Sequence, residues 1–364
     1  MGDKSIVKSR DAAAAGQDRV SAPASVRWRS HRESTWRRAN LFLGVLISGV
    51  FLYLAVRGVE LNQVWNRLYF ASAVPLLFAV CVGMLSNLVR AVRWKSILRS
   101  HPGLSLRHLF ASMMIGYLAN NVLPARMGEL VRIYILERKA GVSKSTSAAT
   151  VVLERVTDTL VLLILGALTA VFLPLPGAFQ TGSRVALGLF AAFAVALLLL
   201  AFRGKNLLQS ATSMVGKLSP VFREKVQGIS ERFIDGLSVL HSGKEALFIL
   251  GLTLGVWAIE AMSVALVITS LGVSLPWIAS LFLVLVLSLS FIIPAAPGGV
   301  GTYEFFGVMA LTPFGLDHTQ AVGVALVLHA VVYLTSTTLG LVCLWAESLN
   351  FRELAVQAPK EVKV

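Results

Sequence analysis

The chain has 364 residues, of which 56% are hydrophobic and 14% charged, and its mean hydropathy is +0.74. Such a composition belongs to an integral, mostly helical membrane protein and excludes an ordinary soluble domain. The formal net charge of +14 could suit a nucleic-acid binder, but the basic residues cluster between apolar runs, as cytoplasmic loops do, so no nucleic-acid partner is expected.

Taken in chain order, residues 1–38 are polar and basic, with Arg27, Arg29, Arg32, Arg37 and Arg38 next to the first apolar run. They read as a disordered cytoplasmic tail that sets topology, with contact to anionic lipid as the alternative. A spanning helix needs about 20 apolar residues, and 39–57 is the first span. An amphipathic piece, 58–70, carries Trp65, Tyr69 and Phe70 and is expected at the interface. The second span, 71–93, ends in Arg90, Arg93, Trp94, Lys95 and Arg99. Residues 106–121 form a half-helix, 122–127 a break, and 128–139 a second half carrying Arg132, Arg138 and Lys139. Spans three and four are 146–173 and 184–203, followed by basic amphipathic cytoplasmic helices over 204–244. The fifth span, 246–271, has Glu260 near its centre. A half-helix at 276–293, a break at 294–300 and a partner at 301–312 precede the sixth span, 318–346, and a charged cytoplasmic tail, 348–364. Trp28, Trp36, Trp65, Trp94, Trp277 and Trp345 fall near the expected boundaries, as an aromatic belt would, while Trp257 falls inside the fifth span. Cys81 and Cys343 lie in apolar runs and read as packing residues.

The two breaks share a grammar. Asn120-Asn121-Val122-Leu123-Pro124-Ala125-Arg126-Met127-Gly128-Glu129 and Ile293-Pro294-Ala295-Ala296-Pro297-Gly298-Gly299-Val300-Gly301-Thr302-Tyr303-Glu304 each run from an apolar piece through proline and glycine to a carboxylate. Pro124, Pro294 and Pro297 remove backbone donors, and Gly128, Gly298, Gly299 and Gly301 free the backbone, so neither stretch can be continuous helix. Irregular backbone survives at membrane depth only where it is buried or lines a polar cavity. Two interrupted segments at matching places in two halves point to a transporter's binding site. With the N-terminus inside, the loops at 90–107, 132–145 and 203–244 and both tails are cytoplasmic, leaving only Arg57, Arg67 and Arg184 among the basic residues outside. That asymmetry makes both broken segments re-entrant, the first from the cytoplasm and the second from outside. Arg90 lies 34 residues before Pro124 and Glu260 lies 34 before Pro294. The expected fold is therefore an all-α polytopic membrane protein with six full spans and two broken re-entrant helix pairs. Repeat one covers 39–183 and repeat two 184–347, with inverted topology.

Ionisable groups inside spans are costly and are candidate functional residues. Glu154 and Asp158 share a helix face, and Arg155 lies about 100° round from Glu154. They form either a packing network with Arg126 or Arg132, or part of a binding site. Glu260 is deeper and calls for an arginine partner or a functional role. Arg90, Arg93, Arg126 and Arg132 offer donor forks suited to phosphate. The half-helices opening at Gly128 and Gly301 aim positive ends at the breaks, where Glu129 and Glu304 either cap them or gate an anionic headgroup. Asn120 and Asn121 bond a headgroup or satisfy the broken backbone, and Tyr303 stands beside Glu304. His329, mid-span, is read as a satisfied packing residue, with proton carriage as the alternative. No P-loop, His-Glu-x-x-His, Gly-x-Ser-x-Gly or dinucleotide-binding glycine motif occurs. No catalytic residue, metal ligand set or cofactor is expected.

Four motifs carry a resemblance: Asn-x-x-Leu-Pro-x-Arg-x-Gly-Glu-x-x-Arg (Asn120 to Arg132), Glu-Arg-x-x-Asp (Glu154 to Asp158), Arg-x-x-Arg-Trp (Arg90 to Trp94) and Pro-Gly-Gly-x-Gly-x-x-Glu (Pro297 to Glu304). Together they resemble the lysylphosphatidylglycerol synthase transmembrane family, also called flippase-like or uncharacterised family 0104, over roughly 40 to 347. In full-length synthases that membrane domain is taken to flip an aminoacylated lipid that a separate C-terminal domain makes. Here the chain reads to Val364 without such a domain. The resemblance therefore implies a lipid flippase of the inner membrane, with both termini cytoplasmic, and not a synthase. A membrane lipid is the implied substrate and a lipid-biosynthesis enzyme an admissible partner, while the oligomeric state is left open. A membrane-embedded lipid-modifying transferase, an accessory subunit of one, and a small-solute or ion-coupled carrier are the alternatives.

Overall fold

The structure, a computed structural model, describes residues 42–99, 101, 103–123, 127–172, 188, 242–291, 293, 295–351, 354 and 357. The N-terminal tail, Pro124, Arg126, Pro294, the expected fourth span and most of 204–244 fall outside the described residues. Ten α-helices are described: α1 Phe42–Val56, α2 Leu61–Tyr69, α3 Ala73–Ile97, α4 Leu106–Val122, α5 Gly128–Ala140, α6 Lys144–Phe172, α7 Gly243–Ser270, α8 Trp277–Ser290, α9 Thr302–Leu311 and α10 His318–Ala346. No strand occurs among the described residues. Three helices, α3, α7 and α10, are long and apolar enough to cross a membrane; α1 and α8 are apolar but shorter. Helix α6 has the length of a span but carries Glu154, Arg155 and Asp158 in its middle.

Both breaks turn the chain back on itself. In the first, Asn120 Oδ1 accepts from the Gly128 amide at 2.8 Å, and Leu109 shares a buried cluster with Leu136, so α4 and α5 run antiparallel. Gly116 and Gly128 let the two backbones touch: a Cβ on Gly128 would overlap the Gly116 carbonyl. In the second, Phe282 meets Phe314 and Phe291 meets Tyr303 at ring-centroid distances of 6.0 and 5.9 Å, so α8 and α9 are antiparallel as well. A short 3-10 turn, Pro297–Gly299, links them. The tips of the two hairpins meet, since this turn packs on α4 and Gly298 approaches the Asn121 carbonyl.

Several helix contacts of one half recur in the other, although the packing of α2 on α10 has no counterpart among the described residues. The α3–α7 pair, antiparallel and the most extensive contact, lies at the centre. Its residues are small where the backbones approach: Ser263 Oγ donates to the Ala79 carbonyl at 2.9 Å, with Gly83 alongside. Helix α6 packs on α8 and α10 on α4, so the last helix of each half clasps the first half-helix of the other. A glycine sits at each clasp. A Cβ on Gly166 would lie 3.0 Å from Leu285, and one on Gly340 would lie 2.5 Å from Leu118 Cβ.

Several details depart from the sequence expectation. Helix α3 runs on to Ile97 instead of ending near Arg93, and Trp94, expected in the aromatic belt, is fully buried in a cluster with Leu98, Leu109 and Leu136. Trp65, Trp277 and Trp345 are exposed, as belt residues would be. The tail after α10 is docked, not merely charged. Leu354 is buried among Ile115, Val131 and Ile135, and the Tyr134 hydroxyl donates to Gln357 at 2.7 Å.

Candidate functional site

Four helices bring six buried or half-buried charges together. Arg90 and Arg93 come from α3, Glu154 and Asp158 from α6, Glu260 from α7, and Arg132 enters from α5 of the first hairpin. Helical spacing explains the set: Glu154 and Asp158 lie one turn apart on one face of α6, and Arg90 and Arg93 lie three apart on the facing side of α3. Arg93, with no exposed surface, is the hub. Its Nη1 donates to Asp158 Oδ1 at 2.5 Å and to Thr253 Oγ1 at 3.0 Å. Its Nη2 donates to Glu154 Oε1 at 3.0 Å and Asp158 Oδ2 at 3.2 Å. Arg132 Nη2 donates to the other Glu154 oxygen at 2.6 Å.

Arg132 is held on its other face by Trp94, whose ring centre lies 3.8 Å from the guanidinium carbon. The Trp94 indole in turn donates to Thr150 Oγ1 at 3.0 Å. Arg90 reaches Glu260 Oε1 at 3.3 Å and Asp158 at 3.8 Å and lies over Trp257 at 4.9 Å. Ser86 Oγ donates to the same Glu260 oxygen at 2.7 Å. Three guanidinium groups thus face three carboxylates. A buried charge left unpaired costs several kcal/mol, so the four elements can pack only with this complement.

Saturation is uneven, and that divides the cluster chemically. Both terminal nitrogens of Arg93 are committed to protein acceptors, so it positions its neighbours. Arg132 is 1% exposed, yet its Nε and Nη1 have no partner among the described residues, and the same holds for Arg93 Nε, Ser147 Oγ and the Trp257 indole nitrogen. Arg132 is thus the guanidinium of the cluster with two desolvated, unpartnered donors. Arg155, half-exposed, pairs with Glu129 at 3.7 Å at the edge of the six and lies within electrostatic range of Glu154 and Asp158.

The other expected site residues take up backbone and packing duties. Asn120 caps α5 across the break, and Asn121 Nδ2 donates to Ser336 Oγ and Thr337 Oγ1 on α10, both at 3.0 Å. Glu304 caps α9, accepting from the Gly301 amide at 2.7 Å. Tyr303 is buried and stacks on the His329 ring at 4.5 Å. His329 itself is more than packing: its Nδ1 lies 2.5 Å from Glu304 Oε1 and its Nε2 lies 3.0 Å from the Gly298 carbonyl oxygen. A mid-span histidine was the available signal, but its partners lie 25 and 31 residues away and no local pattern names them. Arg126 lies outside the described residues.

Comparison with known proteins agrees with the helical membrane architecture. The chain is 26% identical to Glycosyltransferase AglD of Haloferax volcanii over 81% of its own length, and it spans about half (52%) of that protein. It is 21% identical to a UPF0104 membrane protein of Methanocaldococcus jannaschii, covering 82% of this chain and 93% of the relative. A UPF0104 membrane protein of Methanothermobacter thermautotrophicus is 25% identical, with 84% and 92% covered. The family model described as the lysylphosphatidylglycerol synthase TM region matches residues 41–340, and the chain belongs to that family.

Proposed function

We propose that the protein is a lipid translocase of the inner membrane, with both termini cytoplasmic, which passes an anionic or amphiphilic phospho- or glycolipid headgroup across the bilayer. The observation that carries this is Arg132: a buried guanidinium with two unpartnered donors, held flat on Trp94 beside the tip of a broken helix pair. Guanidinium donors in a desolvated pocket suit phosphate. In this reading the two antiparallel hairpins are the re-entrant segments and their meeting tips lie at mid-membrane; the helix contacts that recur between the halves support an inverted repeat. Alternating access then consists of one half rocking against the other about the α3–α7 pair, with the six charges repairing among themselves as the headgroup leaves.

The test is headgroup translocation in liposomes holding the purified protein, over a panel of labelled phospholipids and glycolipids. Arg132→Gln should lower the rate about tenfold or more, the factor for losing one charge-assisted bond. Unchanged transport in that variant sinks the site assignment. Similarity to a protein named a glycosyltransferase favours a second reading, a lipid-modifying transferase or its accessory subunit. It predicts product formation from a lipid-linked donor by the purified protein.

A further inference from the structure

The Glu304–His329 pair has a proton count that its surroundings fix. Each ring nitrogen of His329 faces an oxygen acceptor: Nδ1 faces Glu304 Oε1 at 2.5 Å and Nε2 faces the Gly298 carbonyl at 3.0 Å. A neutral imidazole carries one N–H, and a carboxylate carries none. Both contacts can be hydrogen bonds only if the pair holds two protons between them, either as imidazolium with carboxylate or as neutral imidazole with carboxylic acid. Both partners are buried, at 7% and 4% exposure. Remove one proton, and either a ring lone pair meets the Gly298 carbonyl or a ring lone pair meets the carboxylate.

We propose that Glu304 and His329 form a proton-binding site whose occupancy latches the second break, and that headgroup movement is thereby coupled to a proton. The coupling clause rests on the translocase reading; the proton site does not. The latch follows from what the pair holds. His329 grips the Gly298 carbonyl, and Glu304 Oε2 grips the Gly301 amide, so the two residues staple both ends of the glycine-rich turn to α10 and α9. Gly298 and Gly301 have φ of +76° and +87°, a region other residues rarely enter. The turn has one backbone bond of its own, from the Gly299 amide to the Ala296 carbonyl at 3.0 Å, so side-chain ties carry much of its shape. On deprotonation the one remaining N–H stays with the charged acceptor, Glu304, so the Gly298 bond is given up and the pair goes from net neutral to one negative charge.

The proton has a route. An open cavity of about 300 Å³ runs past the pair, lined by Val300, Leu326, Tyr333 and Leu334 as well as Glu304 and His329. The groups facing the site from its neighbours are few. Tyr303 of α9 stacks on the ring, Tyr333 of α10 meets it edge-on at 6.0 Å, and Glu260 of α7 lies within electrostatic range of Tyr303. The nearby contacts from α1 and α4, through Ser48 and Asn121, are uncharged. Glu260 also belongs to the six-charge cluster, so the proton site and the headgroup site share one neighbour.

The decisive variant is Glu304→Gln. A glutamine amide donates to Nδ1, its oxygen accepts from the Gly301 amide, and neutral His329 donates from Nε2 to Gly298. Every bond of the protonated pair is kept, and no proton can leave. The experiment measures thiol labelling of Thr302→Cys, a buried position at the turn, with Cys81 and Cys343 replaced by Ala, in otherwise wild-type protein and in Glu304→Gln at each pH. Taking the ratio of the two rates cancels the thiol's own titration. The expected ratio is near one in acid and rises about tenfold or more as pH increases, the factor for losing one bond to a charged group. A ratio that stays near one, with both proteins shown folded by thermal unfolding, overturns the proton site. In liposomes, an imposed pH gradient should alter headgroup movement in wild type and not in Glu304→Gln. Titrating labels with movement indifferent to the gradient overturn the coupling. Titrating labels with no lipid moved at all uphold the proton site and overturn the translocase reading.

Discussion

Arg93→Met is the sharpest probe of the charge cluster, because its cost can be worked from the contacts. The substitution keeps an unbranched apolar stem of similar girth and deletes the guanidinium. Three hydrogen bonds to two carboxylates disappear, along with the bond to Thr253. Glu154 keeps Arg132 at 2.6 Å, but Asp158 is left with no direct hydrogen bond, only the 3.8 Å contact to Arg90 and the longer-range field of Arg155. One buried carboxylate is thus nearly uncompensated, and the loss should be about 3–5 kcal/mol. Asp158→Asn alone should cost about 1–3 kcal/mol, since Arg93 retains Glu154. In the double variant the orphaned charge is gone, so its cost should fall short of the sum by about 2 kcal/mol. Equilibrium unfolding of purified protein in mixed lipid–detergent micelles, followed by far-ultraviolet circular dichroism, measures all three. Costs that add to within about 0.5 kcal/mol would refute the claim that these groups compensate one another.

Further outcomes are expected elsewhere. Asn120→Ala should cost about 1 kcal/mol by uncapping α5, seen as a lower unfolding midpoint, whereas Asn120→Asp should keep the cap. Gly340→Leu should drive α10 off α4 at Leu118 and Met114 and abolish folded protein in size-exclusion chromatography, while Gly323→Ala on the same helix, with open space around it, should be tolerated. Leu354→Ala should destabilise by about 2 kcal/mol and increase proteolysis after α10, because Leu354 is 1% exposed against α4 and α5. Leu354→Met should not.

The breaks were legible because proline and glycine act locally and stop a helix whatever surrounds them: α4 and α5 keep their expected bounds to within a residue, whereas α8 stops at Ser290, three residues short of the expected 293. The ends of α6 and α10 were likewise readable from apolar length. Partner choice was not readable. Arg93 looked like a boundary arginine because a lone charge ends a span; it lies inside α3 because carboxylates 61 and 65 residues later neutralise it. The same ignorance of partners put Trp94 at the interface, when it is the plate beneath Arg132. Glu129 and Glu304 looked equivalent by position, yet only Glu304 caps its helix, while Glu129 pairs outward with Arg155. Phe351 and Leu354 stand at helical spacing in a charged tail, a signal too short to outweigh its surroundings.

The placement of cations and anions in the cluster has an electrical consequence. Moving one elementary charge through the full membrane field involves about 2.3 kcal/mol per 100 mV. Arg90, Arg93, Arg132, Glu154 and Asp158 lie in the first half and sum to one positive charge, Glu260 lies in the second, and whatever these charges move through that field they return when the cycle closes. Any voltage dependence of a complete cycle then reports the charge of the cargo and its counter-ion, and current measured per headgroup moved becomes a direct count of them.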